Sequence, residues 1–120
     1  MRTLVLMSAL VIAATPSAAP SAPTPADVPA GHVYFWPDPN QTGTAFDYAP
    51  PGYKEADAQV MRHAYSFASK ATATVYAISR PSSGPCLYRP ILPEEYSTNW
   101  VDWATKFDGV SDTTMGCAAD

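Results

Sequence analysis

Two histidines, two cysteines and an adjacent pair of glutamates are the residues of this 120-residue protein best suited to chemistry. Nucleophilic catalysis needs a serine or cysteine beside a base. His63 has Asp57 and Ser66 near it in the sequence, which supplies the residue types of a triad without a motif that would assemble them. His32 stands apart, at the start of the β-rich part of the chain. Glu94 and Glu95 suggest a paired-carboxylate acid/base site, but neighbours on an extended segment point to opposite faces. Two histidines and two cysteines at wide spacing do not make a zinc ligand set. The expectation is a protein that is not an enzyme, with no catalytic residue and no metal ligand.

Cys86 and Cys117 have a different use. An even cysteine count in an exported protein reads as a disulfide, and two cysteines allow one pairing; two free buried thiols are the alternative. The bridge would close a loop of about 30 residues, worth roughly 3–4 kcal/mol in the chain-entropy model. A domain of about 90 residues has little stability to spare, so the bridge would supply much of it.

Export is read from the first 30 residues. Arg2 gives a positive n-region, Leu4 to Ala14 is an apolar run of 11 residues, and the small residues Ser17, Ala18 and Ala19 follow. That is the order of a signal peptide, and the run is too short to span a bilayer, which takes about 20 residues. A core helix is excluded by Pro16, Pro20, Pro23, Pro25 and Pro29, since proline stops helices. The expected organisation is a signal peptide over 1–19, a Pro/Ala-rich disordered spacer over 20–30 and one domain over 31–120. Secretion to an extracellular location follows.

The formal net charge is -4. The cations of the expected domain, Lys54, Arg62, Lys70, Arg80, Arg89 and Lys106, are scattered. Nucleic acid and an anionic membrane surface both require a concentrated basic face, so neither is an expected partner. A monomer is expected.

From Gly31 onward the pattern is that of strands. Val33 to Trp36, Ala45 to Tyr48, Ala73 to Ile78 and Cys86 to Arg89 are short runs of aromatic and β-branched residues. Proline- and glycine-rich turns separate them. Lys54 to Ala68 reads either as a helical turn or as a connection crossing between sheets, and Trp100 to Trp103 is ambiguous in the same way. The strand runs also repeat. Val33-Tyr34, Gly43, Phe46 and Ser66 are echoed by Val75-Tyr76, Gly84, Leu87 and Ser111; the glycines are 41 residues apart, the tyrosines 42 and the serines 45. A glycine with positive φ would fold each hairpin, and the late serine would bond back to the hairpin backbone and latch it. Two such units, about 31–72 and 73–120, would share a core that neither can close alone.

This pattern resembles the βγ-crystallin Greek-key motif. Trp36 and Gly43 have that motif's aromatic-to-glycine spacing, with Gln41 at its second aromatic position. In the second copy Gly84 and Ser111 fit, while Ala77 stands at the aromatic position and Tyr76 comes one residue early. The resemblance implies an all-β, βγ-crystallin-like sandwich of two Greek-key motifs. Together with the signal peptide, the size and the late cysteine, it points to the small secreted bacterial peptidase inhibitors of the metalloproteinase-inhibitor type. Crystallin motifs that bind calcium carry paired Asn/Asp residues followed by Ser/Thr-Ser. Here the corresponding segments run from Arg62 to Phe67 and from Phe107 to Asp112, where only Asp108 and Ser111 fit and Arg62 opposes a cation. No cofactor is expected, and calcium is disfavoured.

Function is then sought on exposed loops. Pro81, Ser82, Ser83, Gly84 and Pro85 form a segment rigid at both ends, and pre-organisation lowers the cost of binding. Pro90 to Trp100 is long, with Tyr96 and Trp100 either interface anchors or caps on the core. The implied function is a secreted protein-binding module that inhibits an extracellular peptidase through an exposed loop. The alternative is a non-inhibitory extracellular structural or stress protein with a vestigial calcium site.

Overall fold

Alternation along Val33–Trp36 sends Val33 and Phe35 to one face, where both are fully buried. This strand, β1, forms the middle of the first sheet. It pairs antiparallel with β2 (Phe46–Tyr48) and β4 (Ser66–Ser69), and β7 (Tyr96–Ser97) adds beyond β4, giving the order β2-β1-β4-β7. The second sheet centres on β5 (Val75–Ser79), between β6 (Leu87–Ile91) and β8 (Gly109–Ser111). β3 (Lys54–Glu55) and β9 (Ala118–Ala119) complete it in the order β3-β8-β5-β6-β9. This computed structural model describes residues 27–120. The expected signal peptide and most of the expected spacer lie outside the described residues.

The described residues form an all-β structure. Lys54 to Ala68 contains β3, turns at 58–62 and the start of β4, not a helix, and residues 101–106 are likewise turns. Both stretches are connections between the sheets, and they touch where Ala64 N donates to Ala104 O at 3.2 Å. One apolar cluster joins the inner faces of the two sheets: Val33, Phe35, Phe46, Tyr48 and Phe67 from the first, Val75, Ala77, Ile91 and Val110 from the second. Trp100, Trp103 and Phe107 fill it from the second connection. Phe35 sits among four rings, stacked on Phe107 at 4.5 Å and about 6 Å from Phe46, Phe67 and Trp100.

The two halves are built alike. The fourth strand of each returns beside its first, β4 by β1 and β8 by β5, while the third is lent to the other sheet, β3 to β8 and β7 to β4. Backbone bonds match across the halves. Tyr65 N donates to Trp36 O at 3.1 Å, and Asp108 N to Ile78 O at 2.9 Å; Trp100 N donates to Tyr65 O, and Ala56 N to Asp108 O. These pairs make residue 108 the counterpart of 65, a spacing of 43 rather than the 45 between the serines. The counterpart of Ser66 is therefore Gly109, and the expected equivalence of Ser66 with Ser111 is corrected by two residues.

Candidate functional site

The β5–β6 connection carries the clearest surface feature. Pro81, Ser82, Ser83, Gly84 and Pro85 are all exposed. Gly84 has φ 90°, and a Cβ there would meet nothing within 4 Å. Both stems are nonetheless fixed. On the β5 side Arg80 N donates to the buried carboxylate of Asp108 at 2.6 Å. On the β6 side Cys86 is bonded to Cys117, with Cα atoms 4.9 Å apart, which rules out two free thiols. Ala118 N donates to Cys86 O at 3.0 Å, and β9 runs parallel to β6 from there. A short loop with immobile ends has few conformations to lose on binding.

Gly43 has a different setting although it too precedes its strand by three residues. It has φ 96°, but a Cβ there would come within 2.7 Å of Pro37 Cγ. The β1–β2 connection is folded down, and Ser66 holds it, its hydroxyl donating to Asp38 O at 2.6 Å and accepting from Gln41 N at 2.9 Å. Gln41, buried at the position where the resemblance calls for an aromatic, donates from Nε2 to Ser97 O, and Asn40 N donates to Thr98 O. Ser111 does no such work. Its oxygen accepts from Thr113 N within its own turn. Asp108 holds the start of the second hairpin's connection instead, its carboxylate accepting from Arg80 N. Gly109 leaves room for Tyr53, whose ring a Cβ would strike.

Asp108 also organises an open pocket of about 470 Å³ lined by Tyr53, Glu55, Met61, Arg62, Arg80 and Asp108. Arg62 donates from Nε to Asp108 Oδ1 at 2.7 Å and from Nη2 to Oδ2 at 3.3 Å, and that bond raises the pKa of Arg62 further. Tyr53 is held above the ordinary tyrosine value chiefly by burial. The two segments compared with calcium motifs thus meet here, through Arg62 of the first and Asp108 of the second. The Asp108 carboxylate is engaged by a guanidinium and an amide, so a cation would have to displace both. Comparison with known proteins returns no matching family model, no matching curated protein and no matching solved structure.

The second candidate loop divides. Tyr96 is 62% exposed, but Trp100 is 4% exposed and packs on Phe67 at 4.6 Å, so it belongs to the core and not to a binding surface. Trp36 is buried against Val28 and Ala68 on the outer face of the first sheet. Tyr76 is half-buried, its ring edge-on to Tyr88 at 5.4 Å. The catalytic candidates are not assembled. His32 pairs with Asp47 at 2.7 Å, His63 lies edge-on to Tyr65, and Ser66 is engaged as the latch. Glu94 binds Lys70 and Glu95 binds Arg89, two separate surface pairs. Among the described residues no three His, Cys, Asp or Glu side chains cluster as a metal site, and no helix is long and apolar enough to cross a membrane. Tyr53 and Arg80 were not singled out by sequence reasoning; the signal that leads to them is Asp108, one residue before the Gly-Val-Ser run.

Proposed function

We propose that the protein is a secreted, βγ-crystallin-like binding module that inhibits an extracellular peptidase through the loop at 81–85. The carrying observation is that this loop is wholly exposed while Asp108 fixes one stem and the Cys86–Cys117 bridge fixes the other. A disulfide suits an oxidising compartment, in keeping with the signal-like segment at 1–19. The duplicated halves, each with its fourth strand beside its first, support the Greek-key reading. The purified protein, titrated against metallo- and serine peptidases, is expected to inhibit one class stoichiometrically. Replacing Ser82 and Ser83 with bulky residues is expected to weaken that inhibition without changing the melting temperature. Inertness across the panel would remove the inhibitory reading.

One observation favours the alternative, a non-inhibitory extracellular structural protein. The loop Pro-Ser-Ser-Gly-Pro has no large side chain to fill a partner's pocket, whereas interface energy is usually concentrated in such anchors. In that alternative the calcium site is vestigial, its carboxylate held by Arg62. Tryptophan fluorescence is therefore expected to stay unchanged on adding calcium to millimolar levels.

A further inference from the structure

Among the described residues the cationic head groups almost all hold a carboxylate or a backbone carbonyl. Lys54 Nζ donates to Asp47 O, and Arg62, Lys70, Arg89 and Lys106 pair with Asp108, Glu94, Glu95 and Asp120. Arg80 is the exception. No carboxylate among the described residues lies within ion-pair distance of it; its guanidinium lies 5.4 Å from the centroid of the Tyr53 ring and bonds that side chain, which offsets part of the effect of burial on the tyrosine. Its backbone is held from both sides, N to Asp108 Oδ2 and O to Arg62 Nη2. An arginine on a fixed backbone, resting on an aromatic face, has less freedom to lose when it binds.

This guanidinium, without a carboxylate partner among the described residues, lines the pocket at the foot of the 81–85 loop. Arg62 lines the same pocket with its side chain 51% exposed, and it bonds Asp108 through Nε and Nη2. Its Nη1 donors are thus left for a ligand. We propose that this pocket seats a single carboxylate of a bound polypeptide, held in the fork of Arg80 with Arg62 beside it. Planar carboxylates match guanidinium donors two at a time. Glu55 also lines the pocket, and its charge disfavours a dianion more than a monoanion, which selects carboxylate over phosphate. The proposal uses the protein-binding reading only to name the source of the carboxylate, which is either an acidic residue or the C-terminus of the bound polypeptide.

The test reads the arginine Nε–H signals of the isotope-labelled protein by NMR during titration with four probes. Ac-Gly-Glu-Gly-NH2 presents the carboxylate of an acidic residue, Ac-Gly-Gly-Ala-OH a C-terminal one, Ac-Gly-Gln-Gly-NH2 is the neutral control, and inorganic phosphate is the dianionic competitor. One or both carboxylate peptides are expected to shift the Arg80 and Arg62 signals saturably in the millimolar range, and the tighter of the two identifies the source. Arg80→Gln is expected to weaken that binding about tenfold or more, and Glu55→Gln to strengthen it severalfold. The Arg80 side chain takes no part in the backbone bonds, so an unchanged amide spectrum shows that the variant is folded. The proposal is overturned by no saturable shift with either carboxylate, by equal binding in Arg80→Gln, or by phosphate binding more tightly than both peptides. A peptidase panel without inhibition, beside intact peptide binding, would remove the inhibitory function and leave this pocket standing.

Discussion

The β1–β2 ladder ends at Phe35↔Phe46, and the residues between fold back until Asn40 and Gln41 touch the first sheet's last strand. The β5–β6 ladder continues to Ser79↔Leu87, and the shorter connection beyond it, residues 80–86, stands clear of the body. The first hairpin is braced along its length by a serine hydroxyl and two carbonyls. The second is braced at its stems, by the Asp108 carboxylate and the Arg62 guanidinium at Arg80 and by the disulfide and the Ala118 amide at Cys86. Two halves of similar strand order thus hold their first hairpins in different ways. A loop pressed onto its own protein contributes to the core's stability, whereas a loop held at its ends keeps its surface exposed. The price is that the second half leans on the disulfide.

The largest expected effect tests that dependence. Cys86→Ser should destabilise the domain by about 3–4 kcal/mol, lowering the melting temperature by roughly 12–30 °C. Hydrogen exchange should rise first along β6 and β9, with β1 and β2 still protected. An unchanged melting temperature would refute the brace.

The glycines sharpen the contrast next. Gly43→Ala adds a clash with Pro37 to the strain of a positive φ and should cost about 2–4 kcal/mol. Gly84→Ala meets open space and should cost about 1 kcal/mol, from backbone strain alone. Equal losses in thermal or urea unfolding would mean that the two loops are packed alike. The serines should differ less. Ser66→Ala leaves Gln41 N without its partner in a buried place and should cost about 1–3 kcal/mol, while Ser111→Ala should cost about 0.5–1.5 kcal/mol.

The smallest effects are pH-dependent and separate the halves by sign. Burial, with a lesser contribution from Asp112, has pushed the Tyr48 hydroxyl up to about 12; it donates to Gly52 O. The stability this contributes is complete below the unfolded value of about 10 and is lost as pH rises toward 12. Phenolate absorbance should therefore appear late. The Asp120 carboxyl is lowered, first by the indole of Trp103 at 2.7 Å and then by Lys106. Its contribution is complete above the unfolded value of about 4 and fades as pH falls through the lower folded value. A Trp103 fluorescence change with a midpoint above pH 4 would contradict that bond.

The strands that build the core were legible because their alternation is chemical. Val33 to Trp36 is β1 as read, and three further runs overlap β2, β5 and β6. β3, β7 and β9 were not legible. Each is two residues long, and Lys54, Glu55, Ala118 and Ala119 are exposed, so backbone pairing alone defines these strands. The latch was legible in the first half, where Ser66 reaches its own hairpin. In the second half a longer connection shifts the register, and an aspartate does the same task from the neighbouring position. The pocket was hidden for a topological reason. Tyr53, Arg62, Arg80 and Asp108 converge only because β3 crosses to β8, and no local pattern records that crossing.

The exchange of third strands also bears on how such a molecule is made. β3 has no edge to lie on until Gly109 to Ser111 has left the ribosome, so neither layer is finished before nearly the entire polypeptide has been synthesised. A gene encoding only one half would yield a product with a missing strand, which a second identical molecule could donate.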